Sequence, residues 1–301
     1  MKIIAEQQIF DLNIPIHKYY DWICDCLSRK KEAILPPKIS LSPSKDIFFN
    51  TMPCILPYKN VEGVKMINRI PQRVPLLKSH IVLHDFESGE VKAVIDANFI
   101  TNIRTGAVTT HSIKLLAKTN YSVIGIIGLG NTCKATFDML FAIESDKKFT
   151  IKLYKYKDQA EKFIQRYSNN KNLEFIICDT YEKVVEDSDV VVSCVTYAYE
   201  DFCDDRVFKE GCLVVPVHTR GFMNCDLFFD KVYGDDTGHV RGFKYFDKFK
   251  KFSEVADIVY GDDLGRESDS ERILAYNIGL AIHDIYFADE IYNLVIENES
   301  K

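Results

Sequence analysis

The residues best suited to binding a ligand lie in the stretch VIGIIGLGNTC, from Val123 to Cys133. An apolar run of strand length leads into two glycines, and residues with helical spacing follow. A glycine-rich turn between a strand and a helix leaves N–H groups free at the helix N-terminus, where they and the helix dipole bind a pyrophosphate. The stretch therefore predicts a dinucleotide site rather than a chance turn. Its expected cofactor contacts are Gly128, Gly130, Asn131 and Thr132.

The third position of this G-x-G-x-x-C fingerprint is Cys133. A small residue is needed there so that the helix can pack closely on the strand. Cysteine meets that requirement, although less well than glycine or alanine. We expect Gly128 to form the tight turn and Gly130 to leave room for the pyrophosphate.

The type of dinucleotide is indicated by the end of the second predicted strand, which reads Tyr154-Lys155-Tyr156-Lys157. An acidic residue at this place would bind the adenosine ribose hydroxyls and favour NAD. Lys155 and Lys157 instead suit a 2′-phosphate, so the pattern favours NADP(H). Two readings stay open: both lysines are solvated, or Asp158 binds the ribose after a slightly longer turn.

Composition excludes several classes of protein. The 301 residues, 47% hydrophobic and 27% charged, suggest a globular chain of two domains. A net charge of -6 argues against a nucleic-acid partner, and no apolar run is long enough for a membrane span. The N-terminus does not resemble a signal peptide. Nine cysteines, mostly in apolar segments, suggest reduced thiols in a cytoplasmic protein, and the Cys24-x-Cys26 spacing predicts no metal site.

The elements that must position the site change in character along the chain. A helix is predicted over Ile16–Glu32, and four short alternating segments then predict an antiparallel β region. These strands are Ile47–Phe49, Val64–Ile67, Ile81–Asp85 and Val91–Ile95. A helix over Asp96–Leu116 follows, in which Gly106 marks a close approach by another part of the protein.

Residues 119 to about 262 alternate between strand and helix, as in a doubly wound parallel sheet. Ser268 and Glu271 then fit a capping box at the start of a long helix over Asp269–Val295. The predicted fold is α/β, with a Rossmann parallel sheet (119–264) inserted in an α+β substrate and dimerisation domain (1–118 plus 265–301). Residues 236–261 suit either an amphipathic helix or plain surface.

Several pieces, taken together and in this order, resemble the ornithine cyclodeaminase/mu-crystallin family. They span nearly the whole chain: GVKMIN from Gly63, IDA from Ile95, IRTGA from Ile103, IGIIGLGNTCKA from Ile124, DVVVSCVT from Asp189, GRESD from Gly265 and GLAIHD from Gly279. The resemblance implies a homodimer in which nicotinamide and substrate meet between the two domains of each subunit. It also implies hydride exchange at the α-carbon of an amino acid or its imine.

The resemblance assigns roles to individual residues. Lys65 matches a lysine that touches the substrate carboxylate or imine, and Arg104 matches an arginine whose guanidinium fork clamps the carboxylate. Lys38 stands where the family usually has an arginine, so the charge is kept and the fork is lost. Met52 matches a pocket-lining position, and His80 falls near the same pocket. Further cofactor contacts are expected at Thr105, Ser193 and Val195.

His218 is the main departure from the family pattern, because cyclodeaminases carry an aspartate there as general acid and base. An imidazole exchanges protons near neutral pH and suits protonation of the amine formed by imine reduction. We therefore expect an NAD(P)-dependent oxidoreductase acting on a small α-amino or α-imino acid. The alternatives are an ornithine cyclodeaminase with tightly held NAD and a nucleotide-dependent ligand binder of the mu-crystallin type.

Overall fold

The computed structural model describes residues 1–196, 198, 200–217 and 227–300. Over these residues the chain divides into a first unit, Met1–Arg104 with Gly279–Lys301, and a second unit, Thr105–Ile278. Among the described helices, none offers the uninterrupted apolar length that a bilayer core requires.

Strands and helices alternate along most of the chain. The strands are β1 (Lys2–Ile4), β2 (Ile39–Ser44), β3 (Ile47–Leu56), β4 (Val61–Arg69), β5 (Leu77–Asp85), β6 (Val91–Asp96), β7 (Val123–Ile127), β8 (Phe149–Tyr154), β9 (Leu173–Cys178), β10 (Val190–Ser193), β11 (Leu213–Pro216), β12 (Lys231–Gly234), β13 (Phe252–Glu254) and β14 (Ile273–Tyr276). The α-helices are α1 (Glu6–Asp11), α2 (Ile16–Ser28), α3 (Asn98–Leu116), α4 (Asn131–Ile143), α5 (Gln159–Arg166), α6 (Tyr181–Val185), α7 (Thr237–Val240), α8 (Val255–Tyr260) and α9 (Ala281–Glu299). Short 3-10 turns occur at Lys30–Glu32, Pro57–Lys59, Asp205–Val207 and Phe246–Lys248.

The first unit is built on a six-stranded sheet of order β1-β6-β5-β4-β3-β2. All neighbours are antiparallel except β1 and β6, which pair in parallel. Helix α9 packs on β3, β4 and β5. Gly63 permits this close approach, because a Cβ there would lie 2.9 Å from Ile285 Cδ1 of the helix and 2.6 Å from the Val82 carbonyl oxygen. The predicted antiparallel β region is confirmed, with longer strands than expected.

The second unit contains an eight-stranded parallel sheet of order β13-β12-β14-β11-β10-β7-β8-β9. Successive side chains of its central strands enter opposite layers of the core: Val190 and Val192 pack in one layer and Val191 in the other. A strand buried on both faces reads as a continuous apolar run. This two-sided burial confirms the predicted doubly wound parallel sheet.

The prediction of one helix over Asp269–Val295 is wrong. The four buried residues Ile273–Tyr276 form β14, which lies between β11 and β12 in the parallel sheet. A short apolar run suits a buried strand as well as a helix, and here pairing with two neighbours decides. Gly279, with φ +90°, ends this segment before α9 begins. The Glu271 carboxylate does accept the Ser268 N–H, but it closes a turn that leads into the strand.

The boundaries expected from the sequence, residues 118 and 265, both fall within the second unit. Helix α3 runs without interruption from Asn98 to Leu116, so the hydrophobic spacing carries no sign of a division inside it. The second unit ends at Ile278, later than the expected residue 264, because β14 belongs to the parallel sheet.

Neither hypothesis for residues 236–261 describes the structure. The segment folds into α7, a 3-10 turn, β13 and α8 rather than one amphipathic helix. It is also more than plain surface, because Phe243, Phe246, Phe249 and Phe252 pack against the core of the second unit.

Candidate active site

A buried cluster of two cations and one carboxylate lies in the first unit. The Asp284 Oδ1 atom accepts a hydrogen bond from Lys65 Nζ at 2.8 Å and another from Arg104 Nε at 2.8 Å. The exposed fractions of Lys65, Arg104 and Asp284 are 1%, 4% and 0%. Charged side chains are almost never buried to this degree unless they are paired, and one carboxylate oxygen pairs both cations here.

Three elements position this cluster. Lys65 lies on β4, in register with Met52 of β3 and Ile81 of β5, and all three side chains are buried. Paired residues share one face of a sheet. Asp284 lies in the first turn of α9, where a negative charge is stabilised by the helix dipole. Arg104 comes from α3.

Gly279 makes room for the Arg104 guanidinium. A Cβ built at this glycine would lie 2.0 Å from Arg104 Nη1 and 2.9 Å from Cζ. The backbone of Gly279 also has φ +90°, a conformation that favours glycine. Both the space and the backbone conformation therefore require glycine at the start of the helix that carries Asp284.

The cluster carries a net positive charge and leaves polar atoms available. Burial lowers the pKa of Lys65 from 10.5 to about 8, and the positive charges of Arg104 and Lys38 act in the same direction, whereas Asp284 opposes them. Within the described part of the chain, Arg104 Nη1 and Asp284 Oδ2 are buried and have no hydrogen-bond partner. A buried guanidinium nitrogen in a positive site suits a ligand carboxylate.

The structure brings together most of the substrate positions expected from the sequence. Lys65 and Arg104 share Asp284, and Met52 is buried directly opposite Lys65. Lys38 is half-buried just before β2 and acts electrostatically on Lys65. His80 differs, because it precedes Ile81 on β5 and so lies on the opposite face of the sheet from Lys65.

The glycine turn of the second unit has the geometry expected of an anion site. Gly128 has φ +88°, and a Cβ there would lie 2.7 Å from the Val195 N atom. A Cβ at Gly130 would meet no atom within 4 Å. No described side chain caps the N-terminus of α4, which begins at Asn131 and Thr132. These observations fit a dinucleotide whose pyrophosphate lies against the first turn of α4.

Cys133 serves in packing, since it is fully buried in the core with Phe137 and Leu140. The expected close approach at Gly106 is also present. A Cβ on Gly106 would lie 2.7 Å from the Ala135 carbonyl carbon and 2.7 Å from the Thr136 N atom, so α3 and α4 touch through their backbones there.

The other cofactor positions fall into two groups. Ser193 ends β10 beside Ile127 of β7, and Val195 touches Gly128, so both lie next to the glycine turn. Lys155 and Lys157 follow β8 and are exposed, as is Asp158, which pairs with Lys162. Thr105 is buried beside Arg104 on α3. No distance in the structure assigns a cofactor contact to these side chains, and their roles stay predictions.

His218, expected to carry the proton, lies outside the described residues. Its role therefore stays a prediction from the sequence.

Asp284 and Gly279 were missed as site residues by sequence reasoning, although both lie in the GLAIHD segment. One signal was available, because Asp284 interrupts the apolar residues of AIHDIYFA. An acidic residue on a buried helix face requires a cationic partner.

Replacing Gly279 with alanine is expected to destabilise the first unit beyond the strain of the backbone. The left-handed conformation costs about 1–2 kcal/mol for a residue with a Cβ, and the new methyl group displaces the Arg104 guanidinium. Gly261→Ala is the matched control, since Gly261 has φ +78° with no atom near its Cβ position. Urea unfolding should show a clearly larger loss for Gly279→Ala. Equal losses would contradict this account of Gly279.

The chain is similar to known proteins in sequence and in fold. The chain is 27% identical to nodulation efficiency protein NfeD of Rhizobium meliloti, over 86% of this chain and 83% of that one. It is 26% identical to Delta(1)-pyrroline-2-carboxylate reductase of Bacillus cereus, over 82% and 81%. Its fold is similar to that of the Thermococcus litoralis Delta(1)-pyrroline-2-carboxylate reductase in complex with NADH and L-proline, with a TM-score of 0.88, 22% identity and coverage of 99% and 98%. Residues 13–299 match the ornithine cyclodeaminase/mu-crystallin family, and the chain belongs to that family.

Proposed function

We propose that this protein is an NAD(P)-dependent oxidoreductase that acts at the α-carbon of a small amino acid or its imine, with imine reduction as the favoured direction. The observation that carries this proposal is the buried Lys65–Asp284–Arg104 cluster, which has two positive charges and one negative charge. Such a site is stabilised by one more anion, and every substrate of this class carries a carboxylate.

Arg104 and Lys65 are the proposed carboxylate ligands. Arg104 donates Nε to Asp284, while Nη1 is buried and has no partner among the described residues. Lys38 adds a positive charge nearby without a guanidinium fork. These groups hold the carboxylate and so orient the adjacent α-carbon, because an imino acid has its imine carbon bonded directly to the carboxylate.

The proposed cofactor site is the glycine turn of the second unit. Gly128, Gly130, Asn131 and Thr132 would hold the pyrophosphate. When bound, the nicotinamide supplies or accepts the hydride at the substrate α-carbon. We favour NADP(H) because Lys155 and Lys157 follow β8 and are exposed, with Asp158 as the alternative ligand for an NAD ribose.

Two groups are proposed to exchange the proton that accompanies hydride transfer. Lys65 is suited because its pKa is lowered to about 8, so that it gains or loses a proton near neutral pH. His218 is the second candidate and rests on the sequence alone. Its imidazole replaces the aspartate of cyclodeaminases, which counts against water activation and ammonia release.

The proposed substrate is a small imino acid, with Δ1-pyrroline-2-carboxylate as the first compound to test. The Bacillus cereus relative is named as a reductase of this cyclic imine. The neighbouring structure holds L-proline, which is the product of reducing that imine. Both compounds carry the carboxylate that the cluster suits.

A homodimer in the cytoplasm is the proposed assembly and location. On β2 and β3 the apolar side chains of Ile39, Leu41, Ile47 and Phe49 are exposed, with Leu41 60% exposed. Such a patch suits an interface between two copies. The described cysteines are all free thiols, as in a reducing compartment. No nucleic-acid or membrane partner is proposed.

The activity is tested by incubating the pure protein with Δ1-pyrroline-2-carboxylate and NADPH or NADH, and following the loss of reduced nicotinamide absorbance. Arg104→Lys should lower kcat/KM by about 10- to 100-fold, because a hydrogen bond to a charged group contributes about 1.5–3 kcal/mol. Arg166→Lys is the control, since Arg166 is bound to Asp138 in the second unit.

Ammonia release from ornithine without cofactor turnover would favour the cyclodeaminase. Tight nucleotide binding without turnover of any imino acid would favour the binder.

Cofactor preference is tested with Lys155→Gln combined with Lys157→Gln. Loss of two cations beside a 2′-phosphate should weaken NADPH binding by about 10-fold or more and leave NADH binding nearly unchanged. Lys148→Gln is the control, because Lys148 is exposed at the opposite end of β8. Energy transfer from protein to nicotinamide gives both dissociation constants. A wild-type preference for NADH would contradict the assignment.

The dimer is tested by introducing charge into the exposed patch. Leu41 and Phe49 are directly paired between β2 and β3, so Leu41→Glu with Phe49→Glu places two carboxylates at its centre. Light scattering after size exclusion should show a dimer for the wild type and a monomer for this variant, since burying unpaired charges opposes association. Ile177→Glu, at an exposed position of β9, should stay dimeric. A monomeric wild type would refute the proposed assembly.

A further inference from the structure

We propose that Asp284 is a positioning residue for the proposed reaction. Its carboxylate holds Lys65 and Arg104 in one orientation and keeps the Lys65 ammonium charged. Arg104 Nη1 then stays available to the substrate carboxylate. This inference rests on the proposed function for the identity of the anion. The electrostatic effect of Asp284 on Lys65 does not depend on the proposed function.

The geometry places Asp284 at the centre of the cluster. Its Oδ1 atom accepts one hydrogen bond from β4 through Lys65 and one from α3 through Arg104. Arg104 binds Asp284 through Nε, whereas Nη1, which does not share an edge of the guanidinium with Nε, lies over Gly279. The carboxylate thus fixes one edge of the guanidinium and leaves another for a ligand.

Charge balance gives the second part of the argument. Two buried cations without Asp284 would repel each other in surroundings that also disfavour each charge, and the neutral form of Lys65 would then be preferred. Asp284 reduces the net charge of the three groups from two positive charges to one. A single incoming carboxylate then completes the balance.

Two buried thiols near the cluster keep their protons between pH 6 and pH 9. Lys38, before β2, lowers the pKa of Lys65 together with Arg104. Burial raises the pKa of Cys54 on β3 to about 12 and that of Cys26 on α2 well above its ordinary value, and the Asp284 charge adds to both shifts. Both thiols are therefore neutral below pH 9, and Lys65, which is bonded directly to Asp284, is the group whose titration the test follows.

Helix α9 also provides a matched control. Asp289 is buried on the same helix and pairs with two lysines, Lys92 at 2.9 Å and Lys59 at 3.4 Å. Its replacement by asparagine removes the same charge from the same helix, but it leaves Lys65 and Arg104 paired with Asp284.

The first test measures urea unfolding of the wild type, Asp284→Asn and Asp289→Asn between about pH 6 and pH 9. In the wild type, Lys65 has a folded pKa of about 8 and an ordinary value of 10.5, so its contribution to stability rises with pH only above about 8. Without Asp284 the pKa of Lys65 in the folded state falls further, and the rise in stability therefore begins at a lower pH. The difference in the free energy of unfolding between wild type and Asp284→Asn should therefore become smaller from pH 6 to pH 8. The difference between wild type and Asp289→Asn should stay constant over the same range. A constant difference for both variants would overturn the inference.

A double variant keeps the test decisive if Asp284→Asn does not fold. Replacing Lys65 with methionine in the Asp284→Asn background removes one of the two uncompensated cations and keeps a similar side-chain volume. We expect this double variant to be more stable at pH 7 than Asp284→Asn alone and to lose the pH dependence. No gain in stability would overturn the inference.

The pH dependence of kcat/KM distinguishes a positioning role of Asp284 from a role in stability alone. In Asp284→Asn, the pH midpoint of kcat/KM that belongs to Lys65 should move below its wild-type value. In Asp284→Glu, the charge and hence the midpoint are kept, while displacement of the guanidinium should raise KM about 10- to 100-fold. An unmoved midpoint in Asp284→Asn would indicate a merely structural role. A wild type without reductase activity would refute the proposed function, and the unfolding experiment would still decide the role of Asp284.

Discussion

The first unit depends on one carboxylate oxygen that binds two buried cations. Asp284 brings together a strand, β4, and two helices, α3 and α9, and each contributes a charge that would be unfavourable in the interior by itself. The surrounding structure is arranged to permit this contact. Gly63 allows α9 to lie close to the sheet, and Gly279 leaves space for the guanidinium. Breaking the cluster by removing one partner leaves a buried charge uncompensated, which is strongly destabilising.

Both units offer a place for an anion, but they do so by different physical means. The first unit uses side-chain cations whose charge is only partly balanced. The second unit uses backbone N–H groups at the start of α4, where two glycines keep side chains away. A carboxylate suits the fork of a guanidinium, and a pyrophosphate suits a row of N–H groups. Under the proposed function, the first site would hold the carboxylate of the substrate and the second the pyrophosphate of the cofactor.

Burial also brings the pKa of Lys65 close to neutral pH. The charged form of Lys65 is disfavoured by the interior and by Arg104, and Asp284 opposes both effects. The resulting pKa of about 8 is the balance of these influences rather than a property of lysine itself. A general acid is most effective when its pKa lies near the working pH.

The sequence by itself determined the glycine turn and the parallel sheet, because each depends on local pattern, and its resemblance to the family pointed to Lys65 and Arg104. The strand–glycine–helix order from Val123 to Cys133 is visible in one dimension, as is the apolar run of each buried strand. Only the tertiary structure decided that Ile273–Tyr276 is a strand and that Asp284 joins the two cations. A short apolar run has no preference between helix and strand until its neighbours pair with it. Asp284 and Lys65 are separated by 219 residues, and their attraction acts through space once β4 and α9 are packed together.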